Sequence, residues 1–289
     1  MATLSQWVAG SRPRTLPAAV APVAVGTGLA INADSLQTGR AVLALVVALA
    51  LQVGVNFAND YSDGIRGTDN KRIGPVRLVG QELARPPVVR LAAFSAFGGA
   101  CIAGLALVVA TQAWWLLLVG VACVAAAWLY TGGPHPYGYH GLGEIFVLIF
   151  FGIVPVVGTF YVQSDTVTLA AVIASVGVGA LACAVLVTNN LRDLPSDQLV
   201  GKYTLAVRLG DMRTRWLYVA CIIAAALTTI IVAAIVSWLV LFALVLLIIA
   251  PIRLILGGAT GPELIPALKH TGLLVLIYGL GLGFLLALS

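Results

Sequence analysis

The chain has 289 residues, 61% of them hydrophobic and only 9% charged. Soluble domains carry roughly 25% charged residues, so an aqueous fold is excluded and the solvent around most of this chain has to be lipid. The net charge of +5 could suit nucleic acid, but the charges lie in loops between apolar runs, where the membrane surface is the fitting partner.

Taken in chain order, the apolar runs predict spans at about 15–33, 40–58, 89–111, 113–130, 143–162, 167–188, 215–236, 237–256 and 268–288. Each approaches the roughly 20 residues that cross a hydrocarbon core. The first follows Arg12 and Arg14 and resembles a signal peptide; with eight further spans behind it, an uncleaved helix is expected. The fold class is therefore all-α integral membrane, a single domain over 1–289 with about nine transmembrane helices. Cys101, Cys123, Cys183 and Cys221 all fall inside apolar runs, without zinc spacing, and read as small buried hydrophobes. Gly279 and Gly283 give the last span a GxxxG helix-packing face.

Lys and Arg set the orientation. With the N-terminus inside, 15 of the 16 cations are cytoplasmic and Arg40 alone is outside. The two long loops, 59–88 and 189–214, then both face the cytoplasm as a cap. Each follows the second span of a set of four, and each begins with Asn four residues before Asp: Asn56 before Asp60, Asn189 before Asp193. The pattern suggests a four-plus-four pseudo-repeat with a ninth helix added.

These loops carry the chemistry. Asp60 and Asp63 lie three apart and Asp193 and Asp197 four apart, with Asp69 further along the first loop. At such helical spacings side chains are neighbours, and paired carboxylates repel unless a cation joins them. Oxygen-only ligands suit Mg²⁺, which takes one or two carboxylates plus substrate phosphates. Arg66, Lys71, Arg72 and Arg77 follow the first cluster and Lys202 and Arg208 the second, a pattern that fits a diphosphate cradle. The third inner loop, from Tyr130 to His140, holds Tyr130, Tyr139 and His140 among Gly and Pro, and reads as a lid over an aromatic substrate. Glu144 opens the next span, where a carboxylate suits the helix dipole.

Asn59-Asp60-x-x-Asp63 and Asp193-x-x-x-Asp197, placed after the second and sixth spans, resemble the two signatures of UbiA-type intramembrane aromatic prenyltransferases. Finer stretches are similar to the branch acting on 1,4-dihydroxy-2-naphthoate in menaquinone synthesis: residues 12–17, 59–69, 75–79, 139–144 and 201–210. Gly67 stands where the wider family has a third acid, and Asp69, two residues on, is the nearest acid and joins the implied metal ligands. The resemblance implies a bundle around a central cavity in a multi-pass cell-membrane protein, its site facing the cytoplasm. It implies Mg²⁺-dependent transfer of a polyprenyl chain from its diphosphate to dihydroxynaphthoate, with loss of diphosphate and CO₂ to give demethylmenaquinone. Asp60, Asp63, Asp193 and Asp197 would hold metal, with Lys202 beside them in the catalytic set. Asn56, Asn59, Arg66, Lys71, Arg77, Tyr130, Tyr139, His140, Glu144, Asn189 and Arg208 would bind substrate. A secondary transporter is the rival class, but its carboxylates usually lie near mid-bilayer. A transferase using another aromatic or a sugar-phosphate acceptor is separated only by the branch-specific stretches.

Overall fold

The computed structural model describes residues 2–67 and 76–289. In a bilayer core each backbone N–H and C=O has to be satisfied within its own segment, so apolar runs fold as helices. Every regular element among the described residues is helical. α1 (Leu4–Gly10) starts at a capping box between Thr3 and Gln6. The segment Leu4–Thr15, in which Arg12 is left-handed (φ 53°) before Pro13, meets α2 (Pro17–Asn32) at a bend of 50°. α3 (Thr38–Ile65), α4 (Pro86–Thr111) and α5 (Leu116–Leu129) follow. α6 (Gly143–Leu148) passes through a π-helical turn at Ile149–Ile153 into α7 (Val154–Ser164). Beyond α8 (Leu169–Leu199) come α9 (Leu205–Leu209), α10 (Asp211–Ile235), α11 (Ala243–Leu246), α12 (Ile252–Leu256) and α13 (Ile265–Ala287).

Six of these segments are long and apolar enough to cross a membrane, and a seventh if the bent α1–α2 pair counts as one; α5 and Trp238–Ile249 are shorter apolar segments. The run expected as one span over 237–256 is instead broken. Ala250 is extended (ψ 130°) before Pro251, and only short turns and α11 precede it. Proline has no N–H and disfavours helical geometry in the residue before it.

α3 and α8 run to Ile65 and Leu199, well past the 58 and 188 where hydropathy alone would end them. At 1.5 Å per residue their 28 and 31 residues reach about 42 and 46 Å, beyond a hydrocarbon core of about 30 Å. Their carboxylates therefore ride on helix yet lie at one end of the bundle. α8 is the central helix: 72% of its apolar stretch is buried, against 28–50% for the other five long segments. Small residues permit that burial. A Cβ on Gly152, within the π-helical turn, would meet Gly179 Cα of α8 at 2.5 Å. The GxxxG pair of α13 does pack: Gly279 abuts Ala21 and Gly283 abuts Ala24 and Gly28 of α2.

Candidate active site

The helix ends that carry the acidic pairs border a cavity of about 710 Å³. Its apolar wall includes Leu51, Val55, Phe146, Phe150, Phe151 and Leu186. Phe150 and Phe151 sit on the π-helical turn, a device that often re-aims side chains at functional sites. Among the described residues, the polar end carries the cations Arg12, Arg14, Arg77, Arg192, Lys202 and Lys269 and the lining carboxylate Asp63. An end with this charge balance attracts a polyanion.

The end of α3 builds one side. Asn56 Nδ2 donates to the Ser11 carbonyl (2.8 Å) and Thr15 Oγ1 (2.9 Å), and Gln52 Nε2 donates to the same hydroxyl (2.8 Å). These bonds tie the bent segment to α3 and so bring Arg12 and Arg14 to the cavity. Asn59 lines the cavity and accepts from Thr131 Oγ1 (2.8 Å). Asp60 is fully buried and accepts from the backbone N–H groups of Leu78 (2.7 Å) and Val79 (3.1 Å). It does not line the cavity; it clamps the turn that delivers Arg77 to the wall. Asp63 does line it and accepts from the Tyr139 hydroxyl (2.9 Å).

The end of α8 builds the facing side. Asp193 accepts from Arg192 Nε (2.7 Å) and Nη2 (2.8 Å), and Nη2 also donates to Asn189 Oδ1 (2.8 Å). Asp197 lies 3.7 Å from Lys202 Nζ. Pro195, inside α8 between the two acids, cannot donate to the Leu191 carbonyl one turn back. Tyr139 joins the two sides. Its hydroxyl is on Asp63, and its ring has Arg66 and Lys202 each 5.3 Å from the centroid, within cation–π range.

The other expected residues fall in several places. Tyr130 and Asn189 line the cavity. Arg66 instead donates to the carbonyls of Thr131 and Gly133, and Arg208 Nε to that of Tyr203 (3.3 Å). His140 is exposed beside His135. Glu144 is buried behind the wall; its Oε1 accepts from Asn190 Nδ2 (3.1 Å), and its Oε2 has no hydrogen-bond partner among the described residues. Asp69 and Lys71 lie outside the described residues. Sequence reasoning assigned no site role to Arg12, Arg14, Arg192, Lys269 or Tyr137. Tyr137 stacks on Phe146 (3.8 Å) and donates to the Ala126 carbonyl (2.8 Å); burial raises its phenol above the ordinary range, so it stays a neutral donor.

Among the described residues, no three Asp, Glu, His or Cys side chains gather closely enough to hold a metal ion by themselves. Mg²⁺ does not require that, since substrate phosphates complete its shell. The oxygen donors on the cavity wall are those of Asp63, Asn59 and Asn189, and the Asp197 carboxylate lies next to the lining Lys202. Hard oxygen donors of this kind fit that ion.

Residues 19–258 match the model of the UbiA prenyltransferase family. The chain is 50% identical to a 1,4-dihydroxy-2-naphthoate octaprenyltransferase of Mycobacterium tuberculosis, over 99% of this chain and 98% of that one. It is 41% identical to the Escherichia coli protein of the same name, over 75% and 72% of the two chains. Its fold is similar to that of a UbiA homolog from Archaeoglobus fulgidus bound to GPP and Mg²⁺, with TM-score 0.71 and 15% identity over 98% of this chain and all of that one. A central bundle with a polar-ended cavity, a family match over most of the chain and full-length relatives of one name agree: the chain belongs to the UbiA prenyltransferase family.

Proposed function

We propose that this protein transfers a polyprenyl group from polyprenyl diphosphate to 1,4-dihydroxy-2-naphthoate, with release of diphosphate and CO₂. The observation that carries the proposal is the two-ended cavity, cationic at one end and aromatic-apolar along its wall. A polyprenyl diphosphate has the same division of character. The acceptor is taken from the full-length relative named for it.

In this reading Arg77 and Lys202 hold the diphosphate while the apolar wall takes the start of the chain. Asp63 and Asp197 would hold Mg²⁺, which, when bound, neutralises charge on the departing diphosphate. The allylic C–O bond breaks and its electron pair leaves with the diphosphate. The aromatic faces of Phe146, Phe150 and Tyr130 stabilise the allyl cation and keep water from it. The ring carbon bearing the carboxylate attacks. The bond to the carboxyl carbon then breaks and its electron pair restores the aromatic ring, so CO₂ leaves and the demethylmenaquinone nucleus forms in its reduced state. Asp60 shapes the site through the Leu78–Val79 turn.

We also infer nine membrane crossings. The six long segments, the bent α1–α2 pair and the two shorter apolar segments supply that number, with the carboxylate end in the cytoplasm of a cell-membrane protein. The lone outer cation, Arg40, and the charge asymmetry support the orientation. The deciding experiment combines purified protein, Mg²⁺, a polyprenyl diphosphate and aromatic acceptors, read by mass spectrometry. Carboxyl-labelled dihydroxynaphthoate should lose its label on prenylation, and 4-hydroxybenzoate should not react. Retained label would exclude decarboxylative transfer; equal turnover of hydroxybenzoate would reassign the acceptor.

A further inference from the structure

Glu144 is a buried carboxyl to which the mechanism above gives no role. It is 8% exposed and stands behind the cavity wall rather than on it. Asn190 Nδ2 donates to its Oε1 (3.1 Å) and the Cys183 thiol to its backbone carbonyl (3.1 Å), so α8 holds it at both ends. Its Oε2 is bonded to none of the described residues. Burying a carboxyl oxygen without a partner costs stability. A carboxylate that served only the dipole of α6 would avoid that cost in contact with water. The position calls for a group that meets Oε2 during the reaction.

The Tyr130 phenol is placed to be that group. Tyr130 lines the cavity, and its ring reaches the start of α6: a Cβ on Gly143 would lie 3.6 Å from Tyr130 Cε2 and 3.9 Å from the hydroxyl. Glu144 is the next residue, and it acts on the Tyr130 hydroxyl more strongly than Asp63 or Asp197 does. The neighbours of Tyr130 make a seat for an aromatic ring. Tyr130 meets Tyr137 edge-on (5.4 Å) and Tyr137 stacks on Phe146 (3.8 Å), all three on the cavity wall. The Tyr137 hydroxyl is committed to the Ala126 carbonyl, so of these two phenols Tyr130 is the one placed to meet a ligand.

We propose that Tyr130 takes the proton of the acceptor's ring hydroxyl and that Glu144 takes the proton of Tyr130 in turn. The proposal rests on the naphthoate reading above. As the carboxyl-bearing ring carbon bonds to the allyl cation, the O–H bond of the neighbouring ring hydroxyl breaks and its electron pair forms a ketone. The proton goes to the Tyr130 oxygen, and the proton of Tyr130 goes to the Glu144 carboxylate. A ketone then stands one carbon from the carboxylate, an arrangement that sheds CO₂ readily. When CO₂ leaves, the electron pair of the broken C–C bond restores the ring, and the ketone oxygen takes its proton back along the same path. The protons balance and both residues return to their starting state. Tyr130 touches the acceptor and is the catalytic residue; Glu144 acts through it as a positioning residue.

The test is steady-state kinetics of the purified full-length protein with Mg²⁺, farnesyl diphosphate and 1,4-dihydroxy-2-naphthoate. Glu144→Gln keeps the size of the side chain and an oxygen for Asn190, whereas Glu144→Asp keeps the carboxylate. Tyr130→Phe keeps the ring against Tyr137. Glu144→Gln and Tyr130→Phe should each lower kcat by about 100-fold, the scale of a lost proton acceptor, with KM for both substrates nearly unchanged. Glu144→Asp should be clearly faster than Glu144→Gln. The double variant Tyr130→Phe/Glu144→Gln should be no slower than the slower single variant, because the two residues act as a unit. A purely structural Glu144 gives the reverse order, with Gln near wild type and Asp slow, and that order overturns the proposal. So does a wild-type kcat in Tyr130→Phe, or a loss that falls on KM for farnesyl diphosphate. With wild-type turnover of naphthoate intact, any of these three results removes this proposal alone. If the wild-type protein prenylates no naphthoate, the acceptor reading falls and takes the proposal with it.

Discussion

The ends of α3 and α8 carry the same sequence device, an Asn four residues before an Asp with a second Asp one turn on, and they use it differently. At α3, Asp60 is spent on two backbone N–H groups of the following loop, and Asp63 faces the cavity under the Tyr139 hydroxyl. At α8, Asp193 and Asp197 are each set against a cation, Arg192 and Lys202. The Asn residues differ too: Asn56 ties down the segment at 11–15, whereas Asn189 steadies Arg192. A repeated signature thus fixes where carboxylates stand, and their neighbours decide what they do. One end folds a loop; the other aims cations.

Removing the metal tests what the two ends share and should have the largest effect. Chelation with EDTA should abolish turnover and Mg²⁺ should restore it. Full activity in chelator would break the joint reading of both acidic ends.

The next test separates the two acids of α3. Asp63→Asn should lower kcat/KM by at least about 100-fold, a few kcal/mol of transition-state stabilisation, with thermal stability unchanged. Asp60→Asn should lower activity comparably and also lower stability, by about 2–3 kcal/mol. The amide would turn an NH₂ group toward the N–H of Leu78 or Val79, which forfeits a charge-assisted bond and leaves a buried donor unpaired. Melting curves on both variants decide it. Equal melting of Asp60→Asn and wild type would remove the clamp.

This division was not visible in the sequence, and the reason is physical. Apolar length set the architecture, so the long spans and their loops were legible. The α3 and α8 ends were read short because hydropathy falls where Asn and Asp begin. There the chain stays helical, since those side chains find backbone, hydroxyl and guanidinium partners at the bundle's end. Spacing placed Asp60 beside Asp63 but not the turn at Leu78–Val79 that claims Asp60. Arg12 and Arg14 were legible as inner charge and as part of the 12–17 stretch but not as cavity residues, because the bonds that bring them to the cavity run through Asn56 and Gln52, about 40 residues away. Arg192 stands between Asn189 and Asp193 in the sequence, and only its packing reveals that it lines the cavity. Tyr139, named from loop composition, was placed at the site for a reason composition does not contain, its contact with both sides.

Tyr139 therefore sharpens the comparison as the link between the two ends. Tyr139→Phe keeps the ring between Arg66 and Lys202 and removes the hydroxyl that donates to Asp63. One such hydrogen bond to a charged group contributes about 1.5 kcal/mol, so kcat/KM should fall roughly tenfold. Tyr139→Leu should cost more, because the cation–π contacts go as well. If Phe and Leu behave alike, the ring contributes nothing and the hydroxyl is the whole link.

The smallest effect on activity is expected at the opposite end of the bundle. Arg40 Nη1 donates to the Val162 carbonyl (3.0 Å) and Nη2 to that of Ala110 (2.8 Å). Both carbonyls lie in last turns, of α7 and α4, where helices leave C=O groups unsatisfied and favour a cation. One side chain thus joins three helices without touching the cavity. Arg40→Gln should lower stability by about 1–2 kcal/mol and leave kcat/KM within twofold, read by melting and steady-state kinetics on the same preparation. In the proposed reading Arg77 and Lys202 act on substrate, whereas Arg40 acts on helix ends. A tenfold fall in kcat/KM for Arg40→Gln would mean that the outer end governs the shape of the cavity, and the separation between a structural end and a chemical end would have to be given up.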